Sequence, residues 1–297
     1  MKIIITGSTG HISKPLTQTL TAAGHDVTVV TSSAARKADI EALGAKAAVG
    51  SLTDAAFVTA TLRGADSAYL MMPPDLSVSD LLGHQKAISN AYAQAVKDSG
   101  IKRIVLLSSI GAHIGQGTGP IDGSAYFERA LSPLAGSVSI HVLRPGFFYY
   151  NLLGQIGMIK GSGIMGTSQP ADFRHVLVHP VDIAAAAARA VSTIGTPGMT
   201  VEYIASDDTH TWADITHALG TAIGRPDLPY VEFTDEQLQG GLEQAGLNKG
   251  IAATFTQMNK ALREGIIFED YKKHTPTYGK VKLEDYAREF AAVYNAG

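Results

Sequence analysis

The chain contains no cysteine. This excludes disulfides, thiolate nucleophiles and zinc–thiolate sites. Charge is also sparse. Charged residues make up 17% of the 297, and 24 Lys plus Arg against 27 Asp plus Glu leave a net charge of −3. Such a balance gives no electrostatic footprint for non-specific nucleic-acid binding. No apolar run reaches the roughly 20 residues of a membrane helix; even Ile183 to Ala188 ends at Arg189. The apolar start, Met1 to Gly7, is too short for a signal peptide. A cytoplasmic protein without membrane or nucleic-acid partners is the expectation. The single tryptophan, Trp212, is expected to anchor core.

What is present is apolar material, 45% of the residues. A chain of this length buries roughly 75% of its unfolded surface and needs no staples. Short apolar runs at Lys2–Thr6, Val27–Thr31, Lys46–Val49, Ser67–Met71, Arg103–Ser108 and Ser139–Arg144 lack clean alternation. That suits strands buried on both faces of a parallel sheet. Helical stretches are expected between them, near 11–23, 34–43, 54–62, 79–99 and 122–135. Gly24, Gly44, Gly64 and Gly100 stand at the ends of the first four. The alternation predicts an α/β, Rossmann-type doubly wound parallel sheet.

After Pro145 the pattern changes. Residues 146–166 are glycine-rich and aromatic, a strand is expected at His175–Val178, and helices near 181–193, 211–223, 234–245, 250–263 and 283–293. Thr211 with Asp214 and Thr234 with Gln237 have capping-box spacing. Asp182 is expected as an N-cap, and Asp207-Asp208 as a cap or turn. The predicted division is a dinucleotide-binding domain over 1–150 and a smaller, mostly helical lobe over 151–297, partly interleaved with the sheet. A cleft between them is the default ligand site.

The most informative stretch is Ile3-Ile4-Ile5-Thr6-Gly7-Ser8-Thr9-Gly10-His11-Ile12-Ser13. It ends a strand and opens a helix. Glycines there let the backbone turn tightly and approach a pyrophosphate, which the free N–H groups of the helix start then bind. An NAD site carries an acid at the end of the second strand. Here that end reads Thr31-Ser32-Ser33-Ala34-Ala35-Arg36-Lys37. Hydroxyls and a guanidinium suit a 2′-phosphate, so NADP(H) is expected ahead of NAD(H). The plain alternative is that Arg36 and Lys37 are solvated charges on a helix's first turns.

The loop resembles that of NmrA-like proteins, an atypical branch of the short-chain dehydrogenases/reductases. Further similarity lies in Leu106 to His113, Gly117-Thr118-Gly119-Pro120, Leu143 to Leu152 and Pro180 to Ala184. The resemblance covers roughly residues 1–195 and implies an NAD(P)-binding Rossmann protein. Ser13 departs from it, standing where the family has a third glycine; a slight shift in packing is expected. By the same resemblance, Ser51 and Leu52 border the adenine, and Met71 and Met72 the nicotinamide half. Ser108, Pro145 and Phe147 complete the expected cofactor-binding set.

Classical relatives place a Lys four residues after a catalytic Tyr, to lower that tyrosine's pKa for proton transfer. Four residues after Tyr126 stands Ala130; after Tyr149 and Tyr150 stand Leu153 and Gly154. The relay is absent in its common form. A quinone reduces to a stabilised anion, so positioning alone can suffice for such an acceptor. Tyr126 and His113 are the remaining catalytic candidates, against the plain readings of a helix tyrosine and a loop histidine. Tyr126, Phe148, Tyr149 and Asn151 are expected on the substrate side. The family also includes cofactor-sensing regulators, so two readings stand: an NADPH-dependent reductase of quinone-like acceptors, or a dinucleotide sensor that binds a partner protein. His175 and His179, four apart, lack a third ligand, and no metal is expected.

Overall fold

The computed structural model describes residues 1–206 and 209–297; Asp207-Asp208 lie outside them. Ile3, Ile4 and Ile5 show how the fold is layered. All are buried; Ile3 and Ile5 join one core and Ile4 the other. Successive strand residues point to opposite faces, so each such strand must be apolar throughout. The sheet has eight strands: β1 (Lys2–Ile5), β2 (Asp26–Thr31), β3 (Lys46–Val49), β4 (Ser67–Leu70), β5 (Arg103–Leu107), β6 (Ser139–Pro145), β7 (Gly198–Ala205) and β8 (Thr277–Tyr278); the plan is clearest in the central ones. They form one sheet in the order 3-2-1-4-5-6-7-8. Every pairing in it is parallel. The sheet is Rossmann-type, as the alternation predicts.

Helices α1 (Ser13–Ala22), α2 (Lys37–Glu41), α3 (Ala55–Leu62), α4 (Leu81–Ser99) and α5 (Ile121–Leu131) follow the first five strands in turn. Leu16 and Leu20 of α1 and most of α7 (Pro180–Val191) cover one face of the sheet. Residues of α3, α4 and α5 cover the other. A third core holds Tyr149, Ile159, Trp212, Leu219 and Phe290, from α6 (Ile156–Ser162), α8 (Trp212–Ala222), α11 (Leu283–Ala296) and a 3-10 turn at Tyr149–Gln155. Trp212 is buried there, as expected. Helices α9 (Asp235–Gln244) and α10 (Lys249–Arg263) pack on each other. Capping boxes start α8 at Thr211 and α9 at Thr234, as their spacing predicts.

Several details differ from the sequence expectations. Strand β7 is not anticipated. Its first half is largely exposed, so its local signal is weak, and seven paired positions along β6 place it. The strand expected at His175–Val178 is two short ones. Arg174–His175 pairs antiparallel with His210–Thr211, and Leu177–Val178 pairs parallel with Phe147–Phe148. The helix expected near 34–43 is a 3-10 turn, Ala34–Arg36, running into a short α2. Asp182 is not an N-cap. His179 caps α7, accepting the Val181 N–H, while Asp182 accepts the N–H groups of Lys280 and Val281. Among the described residues, no helix is long and apolar enough to cross a membrane.

Candidate dinucleotide site

Strand order reverses at β1, between β2 and β4, and open α/β sheets bind ligands beside such a point. The glycine loop lies there. Gly7 has φ +98°, which only glycine adopts without strain. A Cβ on it would sit 2.5 Å from Ser13 Oγ and 3.0 Å from the Met71 sulfur. Ser8 follows at φ 55°, the only non-glycine residue with positive φ among the described ones. Its strain is held by two hydrogen bonds to β2: its N–H donates to the Val30 carbonyl, and its hydroxyl donates to Thr31 Oγ1, both at 3.1 Å. Ser13, in the third glycine's place, donates its hydroxyl to the Thr6 carbonyl at 2.8 Å. The serine thus ties helix to strand with a buried bond.

No side chain caps α1, because its N-cap residue is Ile12. Six other helices carry a capping side chain, among them those capped by Asp54, Asp80 and Asn248. The uncapped end leaves backbone donors and the positive end of the helix dipole facing out of the loop. A Cβ on Gly10 would meet only the Gly7 carbonyl, at 3.1 Å, so the space above Gly10 is open. These residues fit a pyrophosphate.

The loop forms one wall of a cleft of about 980 Å³. Gly7, Ser8, Thr9, Gly10, His11, Thr31, Ser32 and Arg36, all expected from sequence, line it together. Arg36 reaches back to donate to Thr9 Oγ1 at 2.8 Å. The opposite wall comes from residues the sequence reading did not place there: Tyr150, Leu153, His179, Val181, Tyr286 and Glu289. His11 stacks on Tyr150 with ring centroids 4.6 Å apart and planes 22° from parallel. Burial pushes the Tyr150 phenol's pKa up. His179 Nδ1 accepts a backbone N–H, so its proton is on Nε2, which donates to Glu289 at 3.2 Å.

Other expected residues lie elsewhere. Ile12 is core. Exposed Ser51 hydrogen-bonds Thr53, and Leu52 packs beneath the sheet. Met71 borders Gly7 from below and its carbonyl accepts from Tyr92; Met72 packs by Ser89. Pro145 ends β6. Phe148 supports Tyr150, with ring centroids 5.4 Å apart, and Asn151 is exposed.

Tyr126 and Tyr149, expected on the substrate side, and Phe147, expected in the cofactor-binding set, do not line the cleft. Tyr149 is fully buried and stacked on Tyr286 at 4.9 Å. Phe147 packs on His175 and Trp212. Tyr126 lies between α5 and α4, bonded to Asn90 Oδ1 at 2.9 Å and flanked by Lys86 and Arg129. Which face of α5 meets α4 decides this, and spacing after β5 does not. His175 and His179 share no face: His175 is buried, bonds Gln169, and burial drives its pKa down to about 3. Among the described residues, no group of three His, Cys, Asp or Glu could hold a metal.

Ser108 is spent on structure. Its hydroxyl donates to buried Glu128, which also takes two hydrogen bonds from Arg144, at 2.9 and 2.6 Å. The same guanidinium reaches Tyr203 and Asp270. Burial works against its charge, and Glu128 outweighs that, so the pKa is raised. His113 lies near this cluster, its ring nitrogens buried without a hydrogen-bond partner among the described residues and its pKa lowered chiefly by burial.

Residues 7–131 match the family model described as NAD(P)H-binding. The chain is 24% identical over 257 residues to an NAD(P)H azoreductase from Xenophilus azovorans, covering 86% of this chain and 85% of that one. An NADPH-dependent quinone oxidoreductase from Escherichia coli, solved with NADPH, superposes with a TM-score of 0.81 at 22% identity, over 97% and 99% of the two chains. A Citrobacter triphenylmethane reductase complexed with NADP(H) gives 0.77 at 16% identity, over 97% and 99%. The overall fold is that of these two solved structures.

Proposed function

We propose that this chain is an NADP(H)-dependent oxidoreductase that reduces a small quinone-like or other conjugated acceptor. The observation that carries the cofactor choice is Arg36. It stands just past the end of β2, where an NAD site has an acid, and is already anchored to the glycine loop through Thr9. The nicotinamide, when bound, supplies the hydride. The chain supplies the rest: the open start of α1 for the pyrophosphate and Arg36 for a 2′-phosphate. The named relatives reduce azo compounds, quinones and triphenylmethane dyes, all of them conjugated. An acceptor of that kind fits a chain whose Tyr126 and Ser108 hydroxyls are committed to Asn90 and Glu128.

Those commitments also favour a second reading, a dinucleotide sensor that binds a partner protein. Steady NADPH consumption with a panel of quinones, azo dyes and aliphatic ketones separates the two. Turnover with conjugated acceptors alone supports the reductase. Firm NADPH binding without turnover on any of them moves the reading to the sensor.

A further inference from the structure

The side chain of His11 has a role beyond that of the glycine loop around it. The loop's backbone accounts for pyrophosphate binding whatever residue follows Gly10. Here that residue is an exposed imidazole lining the cleft. Neither ring nitrogen has a hydrogen-bond partner among the described residues; the ring is held by its stack on Tyr150. Tyr150 is itself set by Phe148. The segment after β6 therefore holds His11 in place without using its nitrogens. The other titratable and charged groups facing this space are Lys14 and Arg36 on the loop side, and Tyr150, His179, Tyr286 and Glu289 opposite. His179 is bonded at both nitrogens, one of them to Glu289. That leaves His11 as the imidazole free to meet an anion.

We infer that His11, positioned by Tyr150, is a further affinity-determining residue that donates to the dinucleotide's phosphate oxygens when protonated. The inference rests on the dinucleotide reading above. An imidazolium offers an anion two donors and a positive charge, and a neutral imidazole offers one donor and no charge, so the contribution falls as the pH rises. The carboxylate of Glu289, which also lines the cleft, limits the effect by competing for the cation.

The test is NADPH titration of the wild type, His11→Gln, Tyr150→Phe, Tyr150→Leu and His179→Gln at about pH 6 and about pH 8.5. Ratios of Kd to wild type cancel the titration of the ligand's own 2′-phosphate, which has a pKa of about 6. His11→Gln is expected to weaken binding roughly tenfold at the lower pH and less than about twofold at the higher. Tyr150→Leu should behave like His11→Gln. Tyr150→Phe, which keeps a ring to stack on, and His179→Gln should both keep the wild-type pH dependence. A His11→Gln ratio equal at both pH values overturns the inference while the dinucleotide reading stands. Absence of NADPH binding by the folded wild type overturns both.

Discussion

The guanidinium of Arg36 and the hydroxyl of Thr9 are joined by a 2.8 Å hydrogen bond across 27 residues of chain. The bond links the turn after β2 to the glycine loop. A free surface arginine loses rotamer entropy when it binds phosphate, and this one is already partly ordered. Its remaining N–H donors stay available, since arginine carries five. NADPH should therefore bind more tightly than NADH. Arg36→Ala should narrow that gap by about 1.5–3 kcal/mol, the worth of a hydrogen bond to a charged group. Arg36→Lys should recover only part of it, lacking the planar fork. Titration of both dinucleotides measures this, and equal wild-type affinities would refute the assignment.

The two loop glycines should fail differently. Gly10→Val adds a side chain above a position whose Cβ meets only one carbonyl, so the fold should persist. The branch would fill the space expected for the pyrophosphate, and dinucleotide binding should be lost. Gly7→Ala instead forces a Cβ onto Ser13 Oγ at a φ of +98°. That variant should lose stability, by about 1–3 kcal/mol for the backbone strain. Thermal unfolding and titration of the two variants separate the cases. Undiminished affinity in Gly10→Val would contradict the placement of the ligand.

Tyr126 tests the chemistry. With its hydroxyl on Asn90 and cations on its ring, it has no path to the cleft without reorienting. Tyr126→Phe should change turnover of a conjugated acceptor by less than about twofold, against the 10²–10⁴-fold typical of losing a general acid. A loss in that larger range would mean that α5 moves when substrate binds.

The central strands β1, β4 and β5 were legible because burial on both faces leaves a nearly unbroken apolar run. Helix ends were legible where a chemical requirement is local: Gly24, Gly44, Gly64 and Gly100 all have positive φ. The loop wall of the cleft was legible for the same reason, being one continuous segment. The opposite wall was not. Tyr149 and Tyr150 are neighbours of equal chemistry, yet the turn beginning at Tyr149 sends one into the core and the other onto His11. Glu289 reaches the cleft only because α11 packs against that turn. Such placements depend on contacts over a hundred residues apart, and a local pattern carries no trace of them.

Strand β7, the element least visible in sequence, also holds the group that should govern acid stability. Glu202 accepts from His141 Nε2 at 2.7 Å, from Thr277 at 2.7 Å and from Arg189. Burial opposes its ionisation, but these partners outweigh burial and hold its pKa at about 2, against an ordinary 4.5. The folded state therefore binds this proton less readily than the unfolded chain does. The resulting stability is fully present above about pH 4.5 and is lost as the pH falls toward 2. By linkage it is worth on the order of 3 kcal/mol at neutral pH. Glu202→Gln, which keeps the shape without the charge, should be less stable than wild type at pH 7. That difference should shrink through the range below about pH 4.5. Urea unfolding across that range measures it. A difference that stays constant with falling pH would mean that Glu202 acts through packing and hydrogen-bond geometry, and not through its charge.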